Sequence, residues 1–222
     1  LMSRSVARGS WLLLALFVLA VASAPDINAP AAAQSSSKKK KKAKGRKKAK
    51  KAGLNKSVAV QRIEALAKEG AALYGKGDFS AAAEKHDEAL QLAAHHLGVR
   101  SLRVASLQND LANDYQSMGQ HAKAEPLYRR SLKIREAKLG KDHPAVAASL
   151  SNLAALYNSM GQYAKAEPLY RRSLEIQEAK LGKDHPNVAA SLNNLAALYK
   201  SMGQYAKAEP LYRRSLEIQE AK

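Results

Sequence analysis

The sequence predicts an all-α fold, a solenoid of antiparallel helix pairs, and three observations lead to this fold class. The stretch from Pro144 to Lys180 recurs 42 residues later, from Pro186 to Lys222, with only three differences. Apolar residues inside each copy follow the 3.6-residue period of an amphipathic helix. Glycines separate these helical stretches at a constant phase. A fixed period in this length range is typical of a repeat array.

The period divides the chain into four units, of which the first has diverged most. Gly119, Gly161 and Gly203 share one phase, and Gly77 and Phe79 fall in register one period before Gly119 and its neighbours. Four units exceed the roughly three that a stable array needs. Stability then comes from the stacking of neighbouring units rather than from one central core. The predicted units span about residues 62–97, 104–139, 146–181 and 188–222.

The third unit shows why each element is predicted. The sequence Asp142-His143-Pro144 indicates a helix start, because a capping residue precedes a proline at a position that needs no N–H. An apolar stripe follows, and Gly161 ends this first helix. Pro168 falls in or just after the first turn of the second helix, where proline is tolerated, and Leu181-Gly182 is the stop. The stripe of the first helix consists of Val146, Leu150, Leu153, Ala154 and Tyr157.

These residues carry a resemblance to a known family. The pattern LAALY…MGQYAKAEPLYRRSLEI resembles the tetratricopeptide repeat, in the 42-residue form typical of kinesin light chains. The resemblance covers about Ser57 to Lys222, and the first unit departs from it with Lys85-His86 in place of Leu-Tyr. The matching small and aromatic positions are Ala154, Tyr157, Gly161, Tyr163, Ala166 and Tyr170. Serine replaces the usual alanine at Ser131, Ser173 and Ser215.

The resemblance implies both a shape and a class of function. It implies a right-handed superhelical solenoid whose first helices line a concave groove. It also implies a non-catalytic scaffold that binds a protein or peptide in this groove. No small-molecule substrate is expected.

The differences between the repeats indicate where a partner would bind. Two of the three differences between units three and four are seven residues apart, so they lie on one face of the first helix. In the family that the chain resembles, this face borders the groove. Amide and hydroxyl groups both donate and accept hydrogen bonds, which suits an extended peptide backbone. The alternative is neutral drift after a recent duplication. The predicted partner-binding residues are Asn109, Asn113, Gln116, Ser151, Asn158, Asn193 and Lys200.

The first 33 residues are typical of a signal peptide. Arg4 and Arg8 precede the apolar run WLLLALFVLAVA, and small residues follow it, with predicted cleavage after Ala33. This predicts a periplasmic or secreted protein. The alternative is a membrane anchor, although about 14 apolar residues would span only roughly 21 Å as a helix, less than the roughly 30 Å hydrocarbon core. Because positive charge after an apolar segment tends to stay in the cytoplasm, the lysines that follow would favour an anchor that leaves the array on the cytoplasmic side of the membrane.

Residues 34–56 are predicted to form a disordered, lysine-rich linker. The range from Lys38 to Lys51 holds 11 basic residues in 14, so it repels itself and has no apolar surface to bury. It supplies most of the net charge of +18, since the part from Ala52 onward has 24 Lys and Arg against 18 Asp and Glu. The expected partner of this tail is an anionic membrane surface or a polyanion. Its basic residues are Lys38, Lys39, Lys40, Lys41, Lys42, Lys44, Arg46, Lys47, Lys48, Lys50 and Lys51.

The composition argues against catalysis and against a bound metal or cofactor. The chain has no cysteine, which excludes disulfides, thiolate metal sites and a cysteine nucleophile. It also shows no glycine-rich phosphate loop and no nucleophile paired with a base. His143 and His185 occupy the same position in the helix-start turn. His86, His95 and His96 are expected on a solvated or half-buried helix.

Tyrosines and arginines also recur with the period. Tyr128, Tyr170 and Tyr212 are expected in the core. The arginine pairs would form a solvated face paired with acids such as Glu167 and Glu175, or else an anion-binding stripe. These pairs are Arg129-Arg130, Arg171-Arg172 and Arg213-Arg214.

Two other functions stay open at the level of sequence. The array could be the interaction region of a longer enzyme, such as one with a caspase-like peptidase domain. It could also be an adaptor tethered to nucleic acid by its lysines, with binding that falls steeply with salt. In units two and three, the counterpart of Glu220-Ala221-Lys222 is followed by another unit. The natural array is therefore expected to continue.

Overall fold

A computed structural model describes residues 55–220 of the chain. The predicted signal peptide, residues 1–33, lies outside this range, as do all the basic residues of the predicted tail. The proposed roles of those segments therefore stay predictions.

Residues 55–220 form eight helices and no strand, which confirms the all-α array of helix pairs. The first helix of each unit pairs with the second helix that follows it. The first unit comprises α1 (residues 55–75) and α2 (Phe79–Leu97). The others are α3 (Leu102–Ser117) and α4 (His121–Leu139), α5 (Pro144–Ser159) and α6 (Tyr163–Leu181), and α7 (Pro186–Ser201) and α8 (Tyr205–Glu220).

Helix α1 begins earlier than the sequence suggests. Residues 55 and 56, predicted as the end of the linker, are already helical. The residues of this extension are mostly exposed, and Val58 is 58% exposed. These residues therefore prolong α1 beyond the part that packs on the array.

Local signals at the helix ends explain the boundaries of the third unit. Pro144 is the first residue of α5, and the Nδ1 atom of His143 accepts a hydrogen bond from the Ala145 N–H at 3.1 Å. His143 rather than Asp142 is therefore the capping residue, and His185 repeats this contact before α7. Gly161 (φ +68°) and Gly182 (φ +88°) follow the two helices in conformations that favour glycine.

The core follows the stacking of the helices. Each of the helices α2 to α8 contacts its neighbours in sequence, and the first helices α5 and α7 also touch. One apolar cluster runs through units two to four, and a second joins units one and two. The larger cluster includes Tyr128, Leu156, Tyr170 and Leu198, and the smaller one includes Ile63, Leu66, Ala89 and Leu107.

The expectation that the second-helix tyrosines lie in the core is confirmed for two of the three. Tyr128 and Tyr170 are 1% and 4% exposed, whereas Tyr212 is 38% exposed. The prediction for Tyr212 is wrong because a tyrosine at this position is covered by the following unit. No unit follows α8 within residues 55–220.

His86 differs from the expected solvated or half-buried histidine. It is 3% exposed, and its Nδ1 atom lies 2.6 Å from Oδ2 of the fully buried Asp114. Gly70 makes room for the ring, since a Cβ atom there would lie 2.6 Å from it. This pair could not be predicted from the sequence, because the two residues belong to different units.

Candidate functional site

A pocket of about 390 Å³ opens on the first helices of units two and three. Its walls come from the C-terminal halves of α3 and α5, with contributions from α1 and the start of α4. None of the lining residues is a lysine, arginine, aspartate or glutamate. They are Tyr74, Asn113, Gln116, Ser117, His121, Tyr128, Asn152, Ala155 and Ser159, and we call this set the concave pocket.

A buried tyrosine orients two amides of the concave pocket. The Tyr128 hydroxyl lies 2.5 Å from Oδ1 of Asn113 and 2.8 Å from Oε1 of Gln116, and these two oxygens share its single proton as acceptors. Burial raises the pKa of Tyr128, so the hydroxyl keeps this proton. With their oxygens turned toward Tyr128, Asn113 and Gln116 present their NH₂ groups as donors.

A third amide has the opposite orientation. Nδ2 of Asn152 donates to Oδ1 of Asn109 at 2.9 Å, across the boundary between units two and three. The oxygen of Asn152 is then the group that can accept from a ligand. The concave pocket thus combines donors from unit two with an acceptor from unit three, which matches the alternating C=O and N–H groups of an extended peptide.

The structure brings together only some of the predicted partner-binding residues. Asn113 and Gln116 line the concave pocket, and Asn109 supports it through Asn152. Ser151 instead lies 2.7 Å from Ser173 on the second helix of its own unit, through their hydroxyl oxygens. Lys200 lines a separate hollow in unit four, beside Tyr205 and Tyr212.

Asn158 and Asn193 are half-buried and lie outside the concave pocket. Oδ1 of Asn158 is buried without a hydrogen-bond partner among residues 55–220. The sequence analysis relied on differences between the repeats, and therefore missed Asn152. Its counterpart Asn194 is identical, so a comparison of units three and four gives no signal there.

The recurring arginines are mostly neutralised. Arg129 donates to Glu125 at 2.9 Å and to the Tyr157 hydroxyl at 2.6 Å. The Tyr157 hydroxyl donates in turn to Glu125, and together these hydrogen bonds lower the pKa of that carboxyl group. Arg171 repeats the pairing with Glu167, as expected, at 2.7 Å.

The second arginines of the two later pairs have partners that differ from the expected one. Arg172 binds Glu136 of the preceding unit at 2.9 Å, and Arg214 binds Glu178. Glu175 forms no ion pair among the described residues, so its expected role is wrong. The acid that Arg172 meets is set by how units two and three stack, which sequence neighbourhood does not reveal.

Within residues 55–220, no group of three histidine, aspartate or glutamate side chains could hold a metal ion. In the same range, no helix is long and apolar enough to cross a membrane. His143 and His185 act as helix caps through Nδ1. These two histidines therefore have a structural explanation.

Comparison with protein families supports what the repeats and the helix pairs indicate. The sequence model of the tetratricopeptide repeat matches residues 103–179 and, in an overlapping alignment, residues 147–221. Together these matches cover more than half of the chain. The chain belongs to the tetratricopeptide repeat family. This fold supports protein–protein binding, and tetratricopeptide repeat proteins are typically non-catalytic scaffolds.

Solved structures of tetratricopeptide repeat proteins are similar to this chain. BtubC (BKLC) from P. vanneervenii is 27% identical with a TM-score of 0.65, over 72% of this chain and 63% of that one. A putative kinesin light chain with nearly identical TPR-like repeats from Podosopora anserina is 28% identical with a TM-score of 0.60, over 71% of this chain and 75% of that one. The kinesin-light-chain-like type of repeat is therefore confirmed.

The more distant similarity to MamA concerns the fold alone. MamA is 18% identical with a TM-score of 0.52, over 72% of this chain and 80% of that one. The chain spans less than two thirds of the length of BtubC. A comparison with curated proteins finds no match.

Proposed function

We propose that this tetratricopeptide repeat protein is a non-catalytic scaffold that binds an extended segment of a partner protein in the concave pocket. The observation that carries the proposal is the fixed orientation of its amides. Asn113 and Gln116 offer donors because Tyr128 occupies their oxygens, and Asn152 offers an acceptor because Asn109 occupies its amino group. Such a set is prepared for a peptide backbone before the ligand arrives.

Selectivity in this pocket would rest on hydrogen bonds and shape. The lining has no lysine, arginine, aspartate or glutamate side chain, so attraction of a charged ligand contributes little.

The test is capture of partner proteins from an extract of the native host. The variant Asn113→Ala/Gln116→Ala/Asn152→Ala should lose capture of the partners that the wild type retains. Asn194→Ala is the matched control, because it removes the same amide at the counterpart of Asn152 but outside the pocket. Circular dichroism checks that each variant is folded. Unchanged capture by the folded triple variant would contradict the proposal.

A second variant separates the pocket from the longer stripe predicted from sequence. Asn158→Ala/Asn193→Ala removes two predicted residues that the concave pocket does not include. If the concave pocket is the binding site, this variant should retain its partners. Loss of capture here, with retention in the triple variant, would move the binding site toward the last unit.

We further propose that the protein is exported and that its lysine-rich segment attaches it to anionic surfaces. The charged start, the apolar run and the small residues up to Ala33 support export. Each basic residue near an anionic lipid surface contributes on the order of 1 kcal/mol. The mature N-terminus and the compartment in the native host test export, and an uncleaved N-terminus at a membrane would contradict it.

Removal of residues 34–54 tests the attachment. This deletion spares α1 as described. We expect binding to vesicles with acidic lipids to fall while the thermal midpoint stays nearly unchanged. Vesicles of neutral lipids are the control. If the deletion variant bound acidic vesicles as strongly as the full chain does, the proposal would be contradicted.

A further inference from the structure

A second pocket lies between the second helices of units one and two. It has a volume of about 520 Å³, within the range of about 300–1,000 Å³ that is usual for small-molecule sites. Its apolar walls include Leu90 on α2, Val104 on α3 and Ile134 on α4. Val99, in the loop before α3, is 66% exposed at its edge.

The charged side chains that line this pocket are all basic. They are Arg100, Arg130, Lys133 and Lys138, and no acidic side chain is among the lining residues. None of the four forms an ion pair within residues 55–220. We call the apolar walls and these four residues together the basic pocket.

At the two later junctions, an ion pair spans the equivalent position. Arg172 bridges to Glu136 at 2.9 Å and donates to the Lys141 carbonyl oxygen at 3.1 Å. Arg214 does the same with Glu178 and the Lys183 carbonyl oxygen. We call this arrangement the arginine clamp.

The first junction lacks the arginine clamp because one acid is missing. Arg130 is the counterpart of Arg172, but Ala94 stands where Glu136 would be. Arg130 is consequently exposed, and Ile134 is only half-buried, whereas its counterpart Ile176 is 5% exposed. The missing clamp therefore uncovers both an apolar surface and a cation.

Two further exchanges make the junction more basic. Arg100 replaces Asp142, and Lys133 replaces Glu175. In addition, Gln108 replaces the apolar Leu150 at the floor. Gln108 is 8% exposed, and its Oε1 atom has no hydrogen-bond partner among the described residues. Apolar walls and a cationic rim thus occur at the same junction.

We propose that the basic pocket binds an amphiphilic carboxylate, such as a fatty acid. Its apolar chain replaces water against Leu90, Val104 and Ile134, which is favourable in proportion to the apolar area removed from water. Its carboxylate lies at the rim, where the guanidinium of Arg130 forms charge-assisted hydrogen bonds with it. This function is separate from peptide binding, because the basic pocket shares no residue with the concave pocket.

The test is a calorimetric titration of the full chain with dodecanoate below its micelle concentration. Dodecyltrimethylammonium has the same chain with a cationic head, and we expect it to bind at least about tenfold more weakly. The lysine-rich segment is common to all variants, so differences between variants report on the pocket. Equal binding of both amphiphiles would overturn the proposal.

The decisive variant is Ala94→Glu, which installs the acid of the arginine clamp. The later junctions show that the fold accommodates this pair, so the thermal midpoint should not fall. Dodecanoate affinity should fall at least about tenfold. Lys68→Ala, on the exposed face of α1, lowers the net charge by one, as Ala94→Glu does, but it lies outside the pocket. It should leave dodecanoate affinity unchanged.

Two further results would overturn the proposal. One is unchanged dodecanoate affinity in both Ala94→Glu and Arg130→Gln. The other is that the wild type binds an acidic peptide with apolar side chains but has no affinity for dodecanoate, and that these variants weaken its binding of the peptide. That result would assign the basic pocket to a protein partner instead.

Discussion

The junction between units one and two and the junction between units three and four use the same backbone with different interiors. At the later junction, Tyr170 and Leu198 lie in one apolar cluster. At the first junction the equivalent positions are His86 and Asp114, joined at 2.6 Å. A buried pair of polar side chains thus occupies the place of an aromatic and an aliphatic residue.

The exchange involves a third position. Gly70 stands where units two to four have alanine, and a Cβ atom there would collide with the His86 ring. Glycine, histidine and aspartate therefore form one matched set. The comparison teaches that a repeat junction changes chemistry only when the facing residues change together, because packed interiors leave no spare space.

The same junction differs on its outside. There the arginine clamp is absent and the basic pocket opens. Unit one is therefore distinguished from the later units both in its core and on its surface.

The largest effect is expected from His86→Leu, which leaves the carboxylate of Asp114 buried without its partner. We expect the free energy of unfolding to fall by about 3–5 kcal/mol. Urea denaturation followed by circular dichroism measures it. Adding Asp114→Leu should recover most of the loss, since apolar replacement of a buried pair is often neutral or stabilising. A double variant no more stable than His86→Leu would contradict this explanation.

A smaller loss, of about 1–3 kcal/mol, is expected from Gly70→Ala. The new methyl group would lie 2.6 Å from the His86 ring, so the ring or the backbone must shift. Gly75→Ala is the matched control on the same helix, because a Cβ atom there meets nothing within 4 Å. Thermal denaturation compares the two, and equal midpoints would show that His86 moves without cost.

Ser131→Ala should cost about 1 kcal/mol. The buried Ser131 hydroxyl donates to the Ala105 carbonyl oxygen at 2.7 Å, whereas unit one has Ala89 at this position. Ser201→Ala is the control, because Ser201 is exposed and bonds only within its own helix. Urea denaturation measures both variants. A cost for Ser201→Ala as large as that for Ser131→Ala would remove this distinction between the units.

The smallest effect is expected from pH. Burial alone would lower the pKa of His86, but the hydrogen bond and charge of Asp114, with the charge of Asp110, raise it above the ordinary 6.5. This contribution to stability is complete below the ordinary pKa and is lost as pH rises through the raised pKa. The effect is modest because neutral histidine can still donate to Asp114.

Urea denaturation at several pH values measures this dependence. The wild type should lose more stability between about pH 5.5 and about pH 9 than His86→Leu/Asp114→Leu does. A parallel pH dependence in the two proteins would show that other groups cause it.

Much of the fold could be predicted from local signals. The period, the glycine after each helix and the proline at the start of α5 predict helix pairs, because helix starts and stops depend on residues a few positions apart. Asn113 and Gln116 were also predicted as binding residues, from their spacing on one face of a helix. The role of Asn152 was missed, because it depends on a contact with Asn109 in the neighbouring unit.

The sequence by itself determined the repeat, the helix pairs and the family, because these follow from periodicity and from short-range contacts. The tertiary structure decided which side chains meet across units. The pairs His86 with Asp114, Arg172 with Glu136 and Asn152 with Asn109 join residues 28, 36 and 43 positions apart. Their contacts depend on how each unit rotates against the next, and no local pattern specifies that rotation.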